Sequence, residues 1–168
     1  MRRLTFRALS LTTALCAISF LASGTDAQAQ SHPLVNVNSD GVILDGYDPV
    51  AFFTDAKPVQ GSAKFTSNYN GAIYWFASAE HKAAFDAKPA KYEPQFGAFC
   101  AYAVSQGRTA PIDVKTWSIV DGRLVVQHNS RAVKLWNADP PGLLKLADRY
   151  WPAVIANDGK QIDVKSVK

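Results

Sequence analysis

Short apolar runs separated by turn dipeptides recur along the chain, and this punctuation predicts most of its elements. Lys64-Phe65-Thr66-Ser67 and Ile73-Tyr74-Trp75-Phe76-Ala77 flank Asn70-Gly71. An Asn-Gly pair suits a type I′ turn, whose two central residues both need positive φ, so these runs predict a β-hairpin. Trp117-Ser118-Ile119-Val120 and Arg123-Leu124-Val125-Val126-Gln127 flank Asp121-Gly122 and predict a second one. Tyr74, Trp75 and Phe76 place aromatic rings on both faces of one strand. Core packing is favoured over a ligand-stacking site for such a cluster.

The helical stretches are short. Ser78 can cap a helix over Glu80-His81-Lys82-Ala83-Ala84-Phe85 that Pro89 stops, and Asn129-Ser130 can cap another from Arg131 to Trp136. Pro140-Pro141 precede a third, with an apolar face of Leu143, Leu144, Leu146, Ala147 and Tyr150, which Trp151-Pro152 ends. Val35 and Val37 alternate with Asn36 and Asn38 in a short strand or extended arm, Asp40-Gly41 turns the chain, and Pro111 to Thr116 form a connector. Gly46-Tyr47-Asp48-Pro49 reads as a fixed loop, since Pro49 biases Asp48 away from helix and Gly46 permits a tight bend. No internal repeat is legible. The expected fold class is α+β, a small single domain with two β-hairpins and several short helices.

Arg2, Arg3 and Arg7, then the apolar stretch Ala8 to Ala22, then Ala27-Gln28-Ala29, predict a cleaved signal peptide over residues 1–29. A single folded domain over residues 30–156 and a polar, loose tail over residues 157–168 follow. The product is expected to be exported, periplasmic or secreted, with no permanent membrane span after cleavage. The formal net charge of +4 falls to about +2 once Arg2, Arg3, Arg7 and Asp26 leave. With no run of Lys or Arg, nucleic acid is excluded as a partner. Phosphate-binding glycine loops and carboxylates paired at catalytic spacing are absent from the sequence.

Cleavage also removes Cys16, which leaves Cys100 as the single cysteine of an exported chain and rules out an internal disulfide. Cys100 is a buried small hydrophobe, a metal ligand, or a catalytic or redox thiol. His81, early in its helix, is a ligand or a solvent-facing or hydrogen-bonded imidazole. Asp48 either supplies an oxygen ligand or a base, or, as the favoured reading, bonds its own backbone in a turn. A closed tetrahedral metal site would join His81 and Cys100 with Asp48 or His128. Thiolate plus imidazole suits copper or zinc, and the loss of Met1, the only methionine, excludes a Met-rich copper carrier. A separate motif depends on the cut: a free amine on Gln30, followed by Ser31 and His32, can hold Cu(II) in a square plane unless Gln30 cyclises.

Several of these residues form a longer pattern. Gly46-Tyr47-Asp48-Pro49-Val50-Ala51-Phe52-Phe53, Gly71-x-x-Tyr74-x-Phe76-Ala77-Ser78, Phe85-x-x-x-Pro89-x-x-Tyr92-x-Pro94-Gln95-Phe96-Gly97 and Cys100-Ala101 resemble the YHS domain family, a small module named for Tyr, His and Ser residues. The likeness continues more weakly through Trp117 to Leu124 and at Trp136. It implies transition-metal binding, the role of relatives attached to metal-transporting ATPases. Those relatives carry Cys after Asp-Pro-Val and a Cys-Ser-x-x-Cys pattern after the aromatic strand, where this chain has Ala51, Ala77 and His81. The expected function is therefore binding of a metal ion, copper ahead of zinc, as a carrier or sensor working with a metal-handling protein. The alternatives are a thiol-dependent enzyme or redox protein using Cys100, and a structural or interaction module in which Cys100 is packed.

Overall fold

Both turn dipeptides close the hairpins they predict. In the computed structural model, which describes residues 33–167, strand β1 (Ser62–Tyr69) pairs antiparallel with β2 (Ala72–Phe76), and β3 (Asp113–Val120) with β4 (Arg123–Gln127). Asn70 and Gly71 have φ of 46° and 79°, Asp121 and Gly122 of 51° and 73°. These are the positive values a type I′ turn needs. The expected leader, Cys16 and the Gln30-Ser31-His32 motif lie outside the described residues.

Six α-helices complete the architecture among the described residues: α1 (Ala51–Thr54), α2 (Ala79–Ala87), α3 (Pro89–Tyr92), α4 (Ala101–Ser105), α5 (Ser130–Trp136) and α6 (Pro140–Ala156). The result is the small mixed α+β domain expected. Ser78 caps α2 by accepting from the His81 N–H, and Asn129 caps α5 by accepting from that of Ala132. Each cap satisfies an amide that has no partner within its own helix. None of the described helices is long and apolar enough to cross a membrane.

The structure differs from the sequence reading at four places. Pro152 does not end α6, which runs on to Ala156. The ring lies on an exposed position and the following turn is held by fully buried Val154, so the missing N–H is tolerated. The segment read as a connector already belongs to β3 from Asp113, and the Thr116 hydroxyl there donates to the Gln127 carbonyl at 2.6 Å. The polar tail is tied down: the Gly159 carbonyl accepts from the Thr109 amide and hydroxyl, and the Ile162 N–H donates to the Gly107 carbonyl.

The fourth difference is a repeat. An eight-residue strand, a two-residue turn, a five-residue strand and a capped helix occur twice, at a spacing of about 51 residues (Asn70 to Asp121, Ser78 to Asn129). The pairing irregularity falls between Ser62 and Thr66 in one hairpin and between Asp113 and Trp117 in the other. Isolated parallel bridges join Val42 to Ile73 and Pro94 to Leu124 in the same relation. Ahead of each hairpin the backbone passes through three successive left-handed residues, Leu44-Asp45-Gly46 and Phe96-Gly97-Ala98, and then a short helix, α1 or α4. Non-glycine residues in that region cost about 1 kcal/mol each, so the tight turn is held by its surroundings. At Gly97 a Cβ would lie 2.2 Å from the Leu34 carbonyl oxygen, because the Leu34–Asn36 arm crosses there and the Asn36 N–H donates to the Gly97 carbonyl.

Candidate functional site

Asp48 follows the first left-handed turn, and its side chain is fully buried. Oδ1 accepts from the Val50 N–H at 2.8 Å, the turn bond favoured from the sequence. Oδ2 accepts from the Ala77 N–H at 2.8 Å and faces His81 Nδ1 at 2.6 Å. The Ser78 cap fixes the first turn of α2 and so holds the imidazole over the carboxylate. Because a carboxylate only accepts, Nδ1 carries the proton and the neutral ring keeps its lone pair on Nε2. With 21 % of the side chain exposed, His81 is accessible from outside. Thr54 Oγ1 lies 3.5 Å from Nε2, but has nearer acceptors in Asp55 Oδ1 at 2.8 Å and the Val50 carbonyl at 3.2 Å. A buried carboxylate behind an imidazole is the arrangement that orients metal-binding histidines.

Cys100 and His128 belong to a different place. Cys100 precedes α4, is 1 % exposed, and its Sγ lies 3.4 Å from Gln127 Oε1, which also accepts from the Tyr102 N–H at 3.0 Å. His128 is exposed, with Nδ1 3.0 Å from the Pro111 carbonyl, and lines the same groove as Cys100. The four candidate ligands are thus divided into two pairs, Asp48 with His81 and Cys100 with His128. Among the described residues, no three His, Cys, Asp or Glu side chains come together as a metal-holding group.

Burial pushes the Cys100 thiol above its ordinary value, outweighing the Ala103, His128 and Tyr102 amides and the Arg108 charge that favour the thiolate. The folded state therefore holds this proton more tightly than the unfolded one. Its contribution to stability is complete below the ordinary thiol pKa and is lost as pH rises toward the raised folded value. Iodoacetamide at pH 7.5 is expected to leave Cys100 unmodified in the folded protein and to label it fully in urea. Mass spectrometry reads both, and rapid labelling of the native chain would refute the burial argument.

Three polar groups carried no signal in the sequence. Gln127 Nε2 and Trp136 Nε1 are buried without a hydrogen-bond partner among the described residues. Arg123, opening β4 at the turn, donates from Nε and Nη2 to Gln95 Oε1 and from Nη1 and Nη2 to the Asp148 carboxylate. That cluster borders a cavity of about 430 Å³ lined also by Glu93, whose carboxyl burial pushes up, and by Phe96 and Trp151. Gln95 and Asp148 lie far from Arg123 in sequence, and no spacing pattern joins them. Searched against family models, curated proteins and solved structures, the chain matches none of them.

Proposed function

We propose that this chain is an exported, YHS-like domain that binds a transition-metal ion, copper ahead of zinc, through Nε2 of His81. The observation that carries this reading is the 2.6 Å approach of His81 Nδ1 to the buried Asp48 carboxylate, which fixes the tautomer and leaves Nε2 outward. The donors at hand do not fit a closed tetrahedral site, which takes four ligands. An open site with one oriented imidazole suits a carrier or sensor instead. It takes the remaining ligands from solvent or from a metal-handling partner protein and passes the ion on. Export rests on the basic, apolar and small-x-small segments of residues 1–29.

One observation favours a second reading, a structural or interaction module: Cys100 is buried and its thiol is held protonated. The same burial argues against a thiol-dependent enzyme, which needs an accessible thiolate. Titration of the purified protein with Cu(I), Cu(II) and Zn(II) separates these readings. Stoichiometric copper binding is expected, abolished by His81→Ala, weakened about 10–100-fold by Asp48→Asn, and unchanged by Cys100→Ser. Binding lost only with His32→Ala would move the metal to the Gln30-Ser31-His32 motif. Absence of all binding would leave the interaction module.

A further inference from the structure

The repeat identifies a counterpart to the Asp48–His81 site. Asp48 accepts from the Val50 amide and from the Ala77 amide just past β2. In the second unit, the Tyr102 amide donates to Gln127 Oε1, at the end of β4, and that oxygen lies 3.4 Å from Cys100 Sγ. Cys100 thus stands where Asp48 stands, in front of the short helix that follows the left-handed turn. The residue at the position of His81, the third amide of the capped helix, is Ala132, whose N–H donates to the Asn129 cap. That position thus holds a methyl group, and the imidazole that does line the space, His128, has Nδ1 3.0 Å from the Pro111 carbonyl. The space opens into a groove of about 810 Å³ that includes Cys100 and Ala132 in its lining.

The chemistry of that groove is one-sided. Its apolar surface comes from Ala103, Ala110, Ala132 and Leu135, the last 40 % exposed. Its charged lining is Arg108 and Arg131, with no carboxylate among the lining residues. Neither arginine has an ion-pair partner among the described residues. The other polar side chains are largely committed: Gln106 Nε2 donates to Ser105 Oγ, Thr109 Oγ1 to the Gly159 carbonyl, and Asn129 Oδ1 accepts from Ala132. Two guanidiniums therefore remain without a partner beside an apolar floor. Guanidinium donors in a fixed fork match carboxylate and phosphate oxygens.

We propose that this groove is a second binding site, for a small amphipathic organic anion whose carboxylate or phosphate head pairs with Arg108 and Arg131 and whose apolar body lies over Ala103, Ala132 and Leu135. It is independent of metal binding at His81. The site exists because the second unit replaces an imidazole with a methyl group and surrounds the space with cations.

The test uses the purified protein and a fluorescent dansyl-undecanoate probe, displaced by decanoate, decyl phosphate, 1-decanol or decyltrimethylammonium. Saturable probe binding is expected, displaced by decanoate and decyl phosphate at concentrations at least tenfold below those needed for the alcohol or the cation. Arg108→Ala and Arg131→Ala, both at exposed positions, should each weaken decanoate about tenfold, with unchanged urea midpoints. Added salt should weaken it further. Ala132→His restores the imidazole of the first unit and should block the probe while copper binding at His81 persists. Equal displacement by decanol and decanoate, indifference to both arginine substitutions, or no saturable binding would each overturn the proposal.

Discussion

Replacing Asp48 with alanine is expected to cost the fold about 3 kcal/mol and to release His81 from its orientation. The carboxylate is fully buried and accepts from three donors, the Val50 and Ala77 amides and His81 Nδ1. Truncation leaves the buried Val50 amide without a partner, at a penalty of about 1–3 kcal/mol. The exposed Ala77 position lets its amide regain water, which limits the total. Asp48→Asn keeps the shape but offers one acceptor oxygen where two are used, so one NH₂ group must face a donor. About 2 kcal/mol is expected for it. Urea denaturation followed by tryptophan fluorescence measures both. A loss below about 1 kcal/mol for alanine would mean that the carboxylate does not organise this corner.

The two hairpins were legible because Asn-Gly and Asp-Gly are chemically explicit. The turn role of Asp48 followed from the proline after it, and the Ser78 and Asn129 caps from their place before helical runs. What stayed hidden lacked periodicity or local chemistry. Helices α1 and α4 are four and five residues long and mostly apolar, too short to show a polar face. The tail docks through backbone carbonyls and amides, which composition does not report. The division of the four candidate ligands into two pairs depends on how the halves pack, and nothing in residue spacing encodes it.

The repeat is the instructive omission, because its signal was present. Lys64 and Lys115, Ser67 and Ser118, Gly71 and Gly122, and Pro89 and Pro140 are identical pairs at one spacing, and Phe85 and Trp136 are aromatic at it. These are turn, strand and helix-start residues together with one large core ring. The strand faces between them diverged, aromatic in the first unit and aliphatic in the second, so a search for similar runs finds nothing. Geometry was retained while surface chemistry changed, and the two sites accordingly differ: a carboxylate under an imidazole in one unit, a thiol under an open basic groove in the other.

Phe85→Ala is expected to remove about 4 kcal/mol and to weaken the copper binding proposed at His81 without touching that side chain. Phe85 is the one buried residue of α2, the helix that carries His81. Its ring lies 4.6 Å from Tyr74, 5.2 Å from Phe76 and 5.8 Å from Tyr69, centroid to centroid. A nine-residue helix is too short to persist on propensity alone, so its place over Asp48 depends on this side chain together with the Ser78 cap. Removing the ring opens a cavity among three aromatics and frees α2 to fray, which takes the imidazole away from the carboxylate. Two measurements distinguish this from a purely local cavity. Urea denaturation gives the stability loss, and hydrogen exchange at the α2 amides should rise by more than at those of α5, whose Trp136 is the equivalent buried ring. Phe85→Trp places the second unit's aromatic in the first and overpacks the site at about 1–3 kcal/mol, with the helix retained and copper binding kept. Uniform exchange across α2 and α5 in Phe85→Ala, with copper affinity unchanged, would show that α2 is held by something other than this ring.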